Sequence, residues 1–325
     1  MIGRRLQVCV FVVAGATAAM ALFILTRSSD SVEHAEPPDS MSSFALPSGA
    51  RPEGVVTDGT RVWVANLGTD DVTDIDVNTG QARQHAVQAN ADPVGIAFDG
   101  VSVWTANQTM NTISRIDPMS GDRQDYALAY QSNPTGIMFD GTSVWTANTV
   151  NDSVSRINPD NGTRDDYSLA VGADPFGITF DGKYVWTANS GTDTISRIDP
   201  TTGEHLDFPL PASSQPLGIA FDGDSVWTAN SGTDSVSRVD VVSGQRSDYS
   251  LAANSQPVGI TADDNFVWVA NSGTRTVSRL DSAGQRTDFA IAGDDQGGGP
   301  AWIASDGTKV WVTDTSSGLL IELTP

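Results

Sequence analysis

The chain has 325 residues, with 18 Lys and Arg against 40 Asp and Glu, a formal charge of −22. A surface of that sign repels phosphate backbones, which excludes nucleic acid as a partner and disfavours anionic lipid headgroups. The lone cysteine, Cys9, excludes a disulfide scaffold and any cysteine-built metal centre, and three histidines leave little room for imidazole chemistry.

Arg4 and Arg5 precede residues 6–25, an uncharged and mostly apolar run of 20 residues. That is about the length needed to span a bilayer. Basic residues before it and an acidic bulk after it predict a cytoplasmic N-terminus and an exported remainder, so that any membrane contact is through this segment alone. Small-x-small triplets at 16–18 and 19–21 leave cleavage by a signal peptidase as the alternative to an anchor. Residues 1–27 are accordingly read as signal anchor or signal peptide. Residues 28–42, a mixture of Ser, Asp, Glu and Pro without apolar period, are read as a flexible stalk.

From residue 43 the chain repeats. Pro52, Pro93, Pro134, Pro175, Pro216 and Pro257 stand 41 residues apart, with Pro300 following after 43; Trp63, Trp104, Trp145, Trp186, Trp227, Trp268 and Trp311 keep the same intervals. The unit from Pro216 illustrates the content. An apolar run, Gly218-Ile219-Ala220-Phe221, meets the hairpin signal Asp222-Gly223, and the β-formers of Val226-Trp227-Thr228-Ala229-Asn230 follow. After the turn at 231–234 comes Ser235-Val236-Ser237-Arg238-Val239-Asp240, alternating polar and apolar as a half-buried strand does, and Ser243-Gly244 leads into Asp248-Tyr249-Ser250-Leu251. Four strands in about 40 residues is the content of one propeller blade. Seven such units over residues 43–325 predict an all-β, seven-bladed propeller of four antiparallel strands per blade.

The seventh unit ends after its third strand, while Phe44-Ala45-Leu46 precedes Pro52 as a fourth strand precedes the proline elsewhere. The prediction is that this N-terminal segment closes the ring by pairing with residues 319–323.

The pattern Pro-x-Gly-Ile-x-Phe-Asp-Gly, Val-Trp-Thr-Ala-Asn and Ile-Ser-Arg-Ile-Asp-Pro, as it stands at 175–200, resembles the virginiamycin B lyase family and, more broadly, YVTN- and NHL-type repeat propellers. The resemblance implies a seven-bladed fold. It also implies a C–O lyase that opens a cyclic streptogramin by elimination, with a histidine base beside magnesium-binding acids in the late blades. That constellation finds no match here. His34 lies in the stalk, His85 and His205 fall in predicted outermost strands, and Asn189, Asn230 and Asn271 stand where lyase-type repeats often carry Glu. No catalytic residue is therefore assigned, and the expected role is a non-catalytic ligand- or protein-binding module of the cell envelope, with a lyase or other channel-sited, metal-assisted enzyme as the alternative.

Candidate binding residues are sought at the channel mouth, where second strands turn into third. Asn66, Asn107, Asn148, Asn189, Asn230 and Asn271 begin those turns, with Asp314 in the seventh unit. A ring of carboxamides would suit a small polar ligand; a turn-forming role for Asn is the competing account. Asp70, Asp71, Asp92, Asp152, Asp174, Asp193, Asp234, Asp294 and Asp295 gather at the same end and offer oxygen ligands for a divalent cation in the channel, but their spacing is that of the repeat and no metal ligand or cofactor is assigned. Arg115, Arg156, Arg197, Arg238 and Arg279 are expected to pair across strands with Asp125, Asp166, Asp207, Asp248 and Asp288. Departures from the repeat mark the seam between units seven and one: Trp302 for Gly, Asp314 for Asn, and Glu53 with Arg51. Trp302 and Glu53 complete the candidate set, and a monomer is expected.

Overall fold

The computed structural model describes residues 40–291 and 299–324, so residues 1–27, read as signal anchor or signal peptide, the stalk up to residue 39, and Asp294 and Asp295 lie outside the described residues. The described residues form seven antiparallel sheets of four strands. The first blade shows the plan. Strands β2 (Pro52–Thr57), β3 (Arg61–Asn66), β4 (Asp71–Asp76) and β5 (Ala82–Ala86) follow one another from the centre outward, each hydrogen-bonded to the next. The inner strands of successive blades, β2, β6 (Pro93–Phe98), β10 (Pro134–Phe139), β14 (Pro175–Phe180), β18 (Pro216–Phe221), β22 (Pro257–Ala262) and β26 (Pro300–Ser305), pack side by side, and β26 meets β2 to close the circle.

Closure is made by the chain's two ends. Strand β1 (Ser40–Ala45) pairs with β28 (Leu319–Thr324) as the fourth strand of the last blade, from Ser40 opposite Thr324 to Ala45 opposite Leu319. It starts three residues before the boundary drawn from sequence, so residues 40–42 belong to the strand rather than to the stalk. The paired edge leaves the ring without an open strand at its weakest point.

Proline opens every inner strand, a position where its missing N–H breaks no ladder bond. A register shift follows directly, as between Pro134 and Ile137 in β10. The irregularity turns a glycine toward the neighbouring blade. A Cβ placed on Gly95 would stand 2.1 Å from the Thr135 carbonyl oxygen, and on Gly177 2.5 Å from that of Leu217. Blade-to-blade spacing at the hub therefore depends on the absence of a side chain.

All seven repeat tryptophans are fully buried. In five blades the indole N–H donates to the hairpin aspartate: Trp104 to Asp99, Trp145 to Asp140, Trp186 to Asp181, Trp227 to Asp222 and Trp268 to Asp263, at 2.7–2.8 Å. The repeat arginines lie over these rings, Arg115 being 5.6 Å from the Trp104 centroid. They do not make the expected pairs with the fourth-strand aspartates. Ser114, not Arg115, stands opposite Asp125 and donates to it at 2.7 Å, while Arg123 supplies the ion pair. Side chains alternate faces along a strand, and the one-residue offset puts Arg115 on the other side of the blade.

Blades one and seven reverse this polarity. Asp74 and Glu322 occupy the arginine position, and the bases are Arg61 and Lys309 on the second strand or its hairpin; Lys309 meets Glu322 at 2.9 Å. Asp74 is wholly buried and also meets Arg83 and His85.

Candidate functional site

The inner strands start at one rim of the channel, the rim that also carries the turns between second and third strands and the blade-to-blade connections. The six asparagines sit there but do not face the channel. Each is buried to 0–1% exposure, with its amide nitrogen bonded inside its own blade. Asn107 Nδ2 donates to Thr112 Oγ1 at 3.0 Å and Ser114 Oγ at 2.7 Å, and Thr105 donates back to its carbonyl oxygen at 2.9 Å. Asn66, Asn148, Asn189, Asn230 and Asn271 bond to the equivalent third-strand side chains. The asparagines therefore rivet the second strand to the third, and the carboxamide ring expected to meet a ligand is instead part of the frame.

The mouth aspartates are likewise engaged. Asp70 accepts from the backbone of Asn90 and Asp92, Asp152 from Gly172 and Asp174, Asp193 from Ser213 and Gln215, and Asp234 from Asn254 and Gln256. They hold the blade-to-blade connections in shape while keeping their charge at the rim. Among the described residues no three His, Cys, Asp or Glu side chains group as a metal site would.

Asp314, which replaces the asparagine in blade seven, is buried and paired with Arg275 of blade six at 2.5 Å. Burial pushes its carboxyl up, but hydrogen bonds from Ser316 and Ser317 and the Arg275 guanidinium outweigh it and hold the group below the ordinary aspartate range. Arg275 stands where other units carry Asp70, Asp152, Asp193 and Asp234, so the two substitutions compensate across the blade interface.

What remains at the hub is a compact group. Trp302 occupies the ring position filled by glycine in the other six blades, and its indole stacks on Phe176 of blade four, centroids 5.9 Å apart and planes within 6°. The two rings cross the channel and are each half-buried. Trp302 also lines a cavity of about 70 Å³, together with Gly54, Val55, Ile96, Ile137, Ile178 and Ile219. The side chains of the throat are apolar, and glycine backbone completes its wall. On the same rim a shallow cleft of about 440 Å³ between blades four and five is lined by Asp174, Ser190, Gln215, Leu217 and Ser231.

Glu53, at the second position of β2, lies beside Trp302. Burial pushes its carboxyl up to about 7, against a hydrogen bond from the Trp302 side chain and the charge of Arg51, which pull it down. An unfolded glutamate ionises near 4.5, so between that value and about 7 the folded chain binds more protons than the unfolded one. Stability from this group is fully present below 4.5 and is lost as pH rises through 7. Glu53→Gln is expected to flatten that loss, so thermal midpoints taken from about pH 5 to 8 should show the variant gaining on wild type steadily up to about pH 7 and holding that gain above it. Parallel curves would put the carboxylate in water.

Phe176 and Arg275 were not picked out in the sequence. Both carry a signal there: Phe176 stands where the other blades have Glu53, Val94, Thr135, Leu217, Val258 and Ala301, and Arg275 interrupts a run of acids.

Comparison with known proteins agrees with this architecture. The chain superposes on the virginiamycin B lyase of Staphylococcus aureus with a TM-score of 0.80 and 22% identity, covering 88% of this chain and 99% of that one. A catalytically inactive histidine-to-alanine variant of the same enzyme, solved with quinupristin, matches with a TM-score of 0.80 at 24% identity and the same coverage. Hydrazine synthase of Kuenenia stuttgartiensis matches with a TM-score of 0.70 at 15% identity, over 85% of this chain and 96% of that one. Identities this low speak for the fold alone. No curated protein matches in sequence. The profile of the Virginiamycin B lyase family matches residues 90–325, and with seven complete blades around the hub, the chain belongs to that family.

Proposed function

We propose that this family member is an exported, non-catalytic binding module that takes a small polar ligand, or a protein side chain presenting one, at the channel mouth. The observation that carries the reading is the Phe176–Trp302 pair with Glu53 beside it: an aromatic slab and one ionisable group converging where the repeat is broken. Elimination needs a positioned base. The chain's histidines are His34, His85 and His205; His85 and His205 lie on the outermost strands β5 and β17 (His205–Pro209), remote from the mouth.

One observation favours a lyase: Glu53 titrates near neutrality, as a general base does. Incubation with quinupristin separates the two readings. Ring opening by elimination leaves the mass unchanged, so the readout is a shift in chromatographic retention. The binding reading expects unchanged quinupristin after prolonged incubation. Conversion that disappears in Glu53→Gln would replace it with catalysis. Export is tested with alkaline phosphatase fused to the C-terminus of the full chain, which is active only outside the cytoplasm; an inactive, intact fusion would overturn that part.

A further inference from the structure

We propose that the ligand at this mouth is an organic cation, an alkylammonium group seated on the Trp302 indole with the Glu53 carboxylate as its counter-ion. The inference rests on the reading of the mouth as a binding site and names the chemistry it selects.

Two positions of the hub depart most from the repeat. Where the other six blades carry glycine, blade seven has Trp302; at the position before it, the other blades have Val94, Thr135, Phe176, Leu217, Val258 and Ala301, and only blade one has an ionisable residue, Glu53. They fall on adjacent blades and their side chains meet. The seam is held by Thr313 and Thr315, whose hydroxyls donate to the Glu53 and Pro52 carbonyl oxygens at 2.8 and 2.9 Å. The carboxylate lies at the indole N–H edge, so an ammonium group over the indole face has a counter-ion beside it, the ring quadrupole adding to the ionic attraction in a partly dehydrated site.

The surrounding charge favours the same class. On the described turns and connections of this rim the acids are Asp70, Asp92, Asp152, Asp174, Asp193 and Asp234, against Arg51 and Arg275. Arg275 is engaged by Asp314, and Arg51, exposed and near enough to Glu53 to lower its carboxyl, is the cation among the described residues of this rim that competes for it. Backbone bonding orients the rim aspartates without cancelling their charge, so a cation is drawn to this rim and an anion repelled. The half-buried aromatic pair offers an apolar surface for the alkyl part, and its indole–phenyl stacking keeps that surface flat.

The test uses choline and its neutral isostere 3,3-dimethyl-1-butanol, titrated calorimetrically into the full chain at about pH 8. Choline is expected to bind at least about tenfold more tightly than the isostere. In Glu53→Gln the two should fall within about twofold, and at about pH 6, with Glu53 largely protonated, choline should weaken severalfold while the isostere does not. Trp302→Leu should weaken both. Unchanged far-ultraviolet circular dichroism and melting cooperativity guard against misfolded variants. Equal binding of both isosteres would overturn the cation while leaving the mouth as a site. So would silence from choline while glucose or acetate binds in a Trp302-dependent way. Choline binding that survives both substitutions would place it elsewhere and overturn the proposal. If choline, the isostere, glucose and acetate all fail to bind the folded protein, the reading of the mouth falls with it.

Discussion

Deleting Ser40–Ala45 is expected to cost at least about 4 kcal/mol. The segment supplies the whole fourth strand of the last blade. Its Phe44 ring lies 5.9 Å from that of Trp311, and truncating one buried aromatic alone costs about 3–5 kcal/mol. Half-buried Phe44 stands at the lower end of that range, and the lost ladder with β28 adds to it. What the deletion uncovers matters as much. Strand β28, with Leu320, Ile321 and Leu323 buried, becomes an open edge bearing apolar side chains. The urea midpoint should therefore fall, and sedimentation should reveal self-association that a peptide spanning residues 40–47, added in trans, suppresses. An unchanged midpoint would mean that the ring holds without its N-terminal strand.

Gly95→Val is expected to be as damaging, beyond about 4 kcal/mol, although it adds only three carbons. The first of them would lie 2.1 Å from the Thr135 carbonyl oxygen and 3.1 Å from the Ile137 methyl. The obstacle is backbone of the next blade, which cannot rotate aside. Blades two and three would have to separate along their full length, and packing lost at one interface is felt around a closed ring. Gly100→Ala is the control. It sits in an open hairpin with nothing within 4 Å of its Cβ, so only its φ of 94° opposes a side chain, a strain of about 1–3 kcal/mol. Chemical denaturation of the two variants should rank them clearly. Comparable losses would mean that glycine is kept at the hub for conformation rather than for clearance.

Most of the fold was legible because a repeat reports its own boundaries. The 41-residue interval of Pro and Trp marks every blade, and the missing fourth strand at one end matched the surplus strand at the other. Only the start of β1 was misplaced, since Ser40, Met41 and Ser42 are exposed and owe their strand to the partner they pair with. The candidate site was legible in part. Trp302 and Glu53 stood out as departures from the repeat, and the structure brings them into contact at the hub. The asparagines were misread because burial cannot be inferred from a residue type that serves turns, caps and buried rivets alike; what decides is whether Ser or Thr stands five and seven residues on, as with Asn107, Thr112 and Ser114. The arginines were paired with the wrong face for a similar reason, a register offset of one residue.

By itself, then, the sequence determined the number of blades, the order of strands within each, the closing of the ring by the two chain ends and the place where the repeat breaks, because all of these follow from local periodicity and spacing. Only the tertiary structure decided that Phe176, in the blade opposite, stacks on Trp302, that Arg275 answers Asp314, and that Glu53 is buried enough to hold its proton near neutrality. These are meetings between residues 39 to 249 positions apart. No local pattern encodes them, since they arise when seven blades are bent into a circle and their innermost side chains are forced to share one channel.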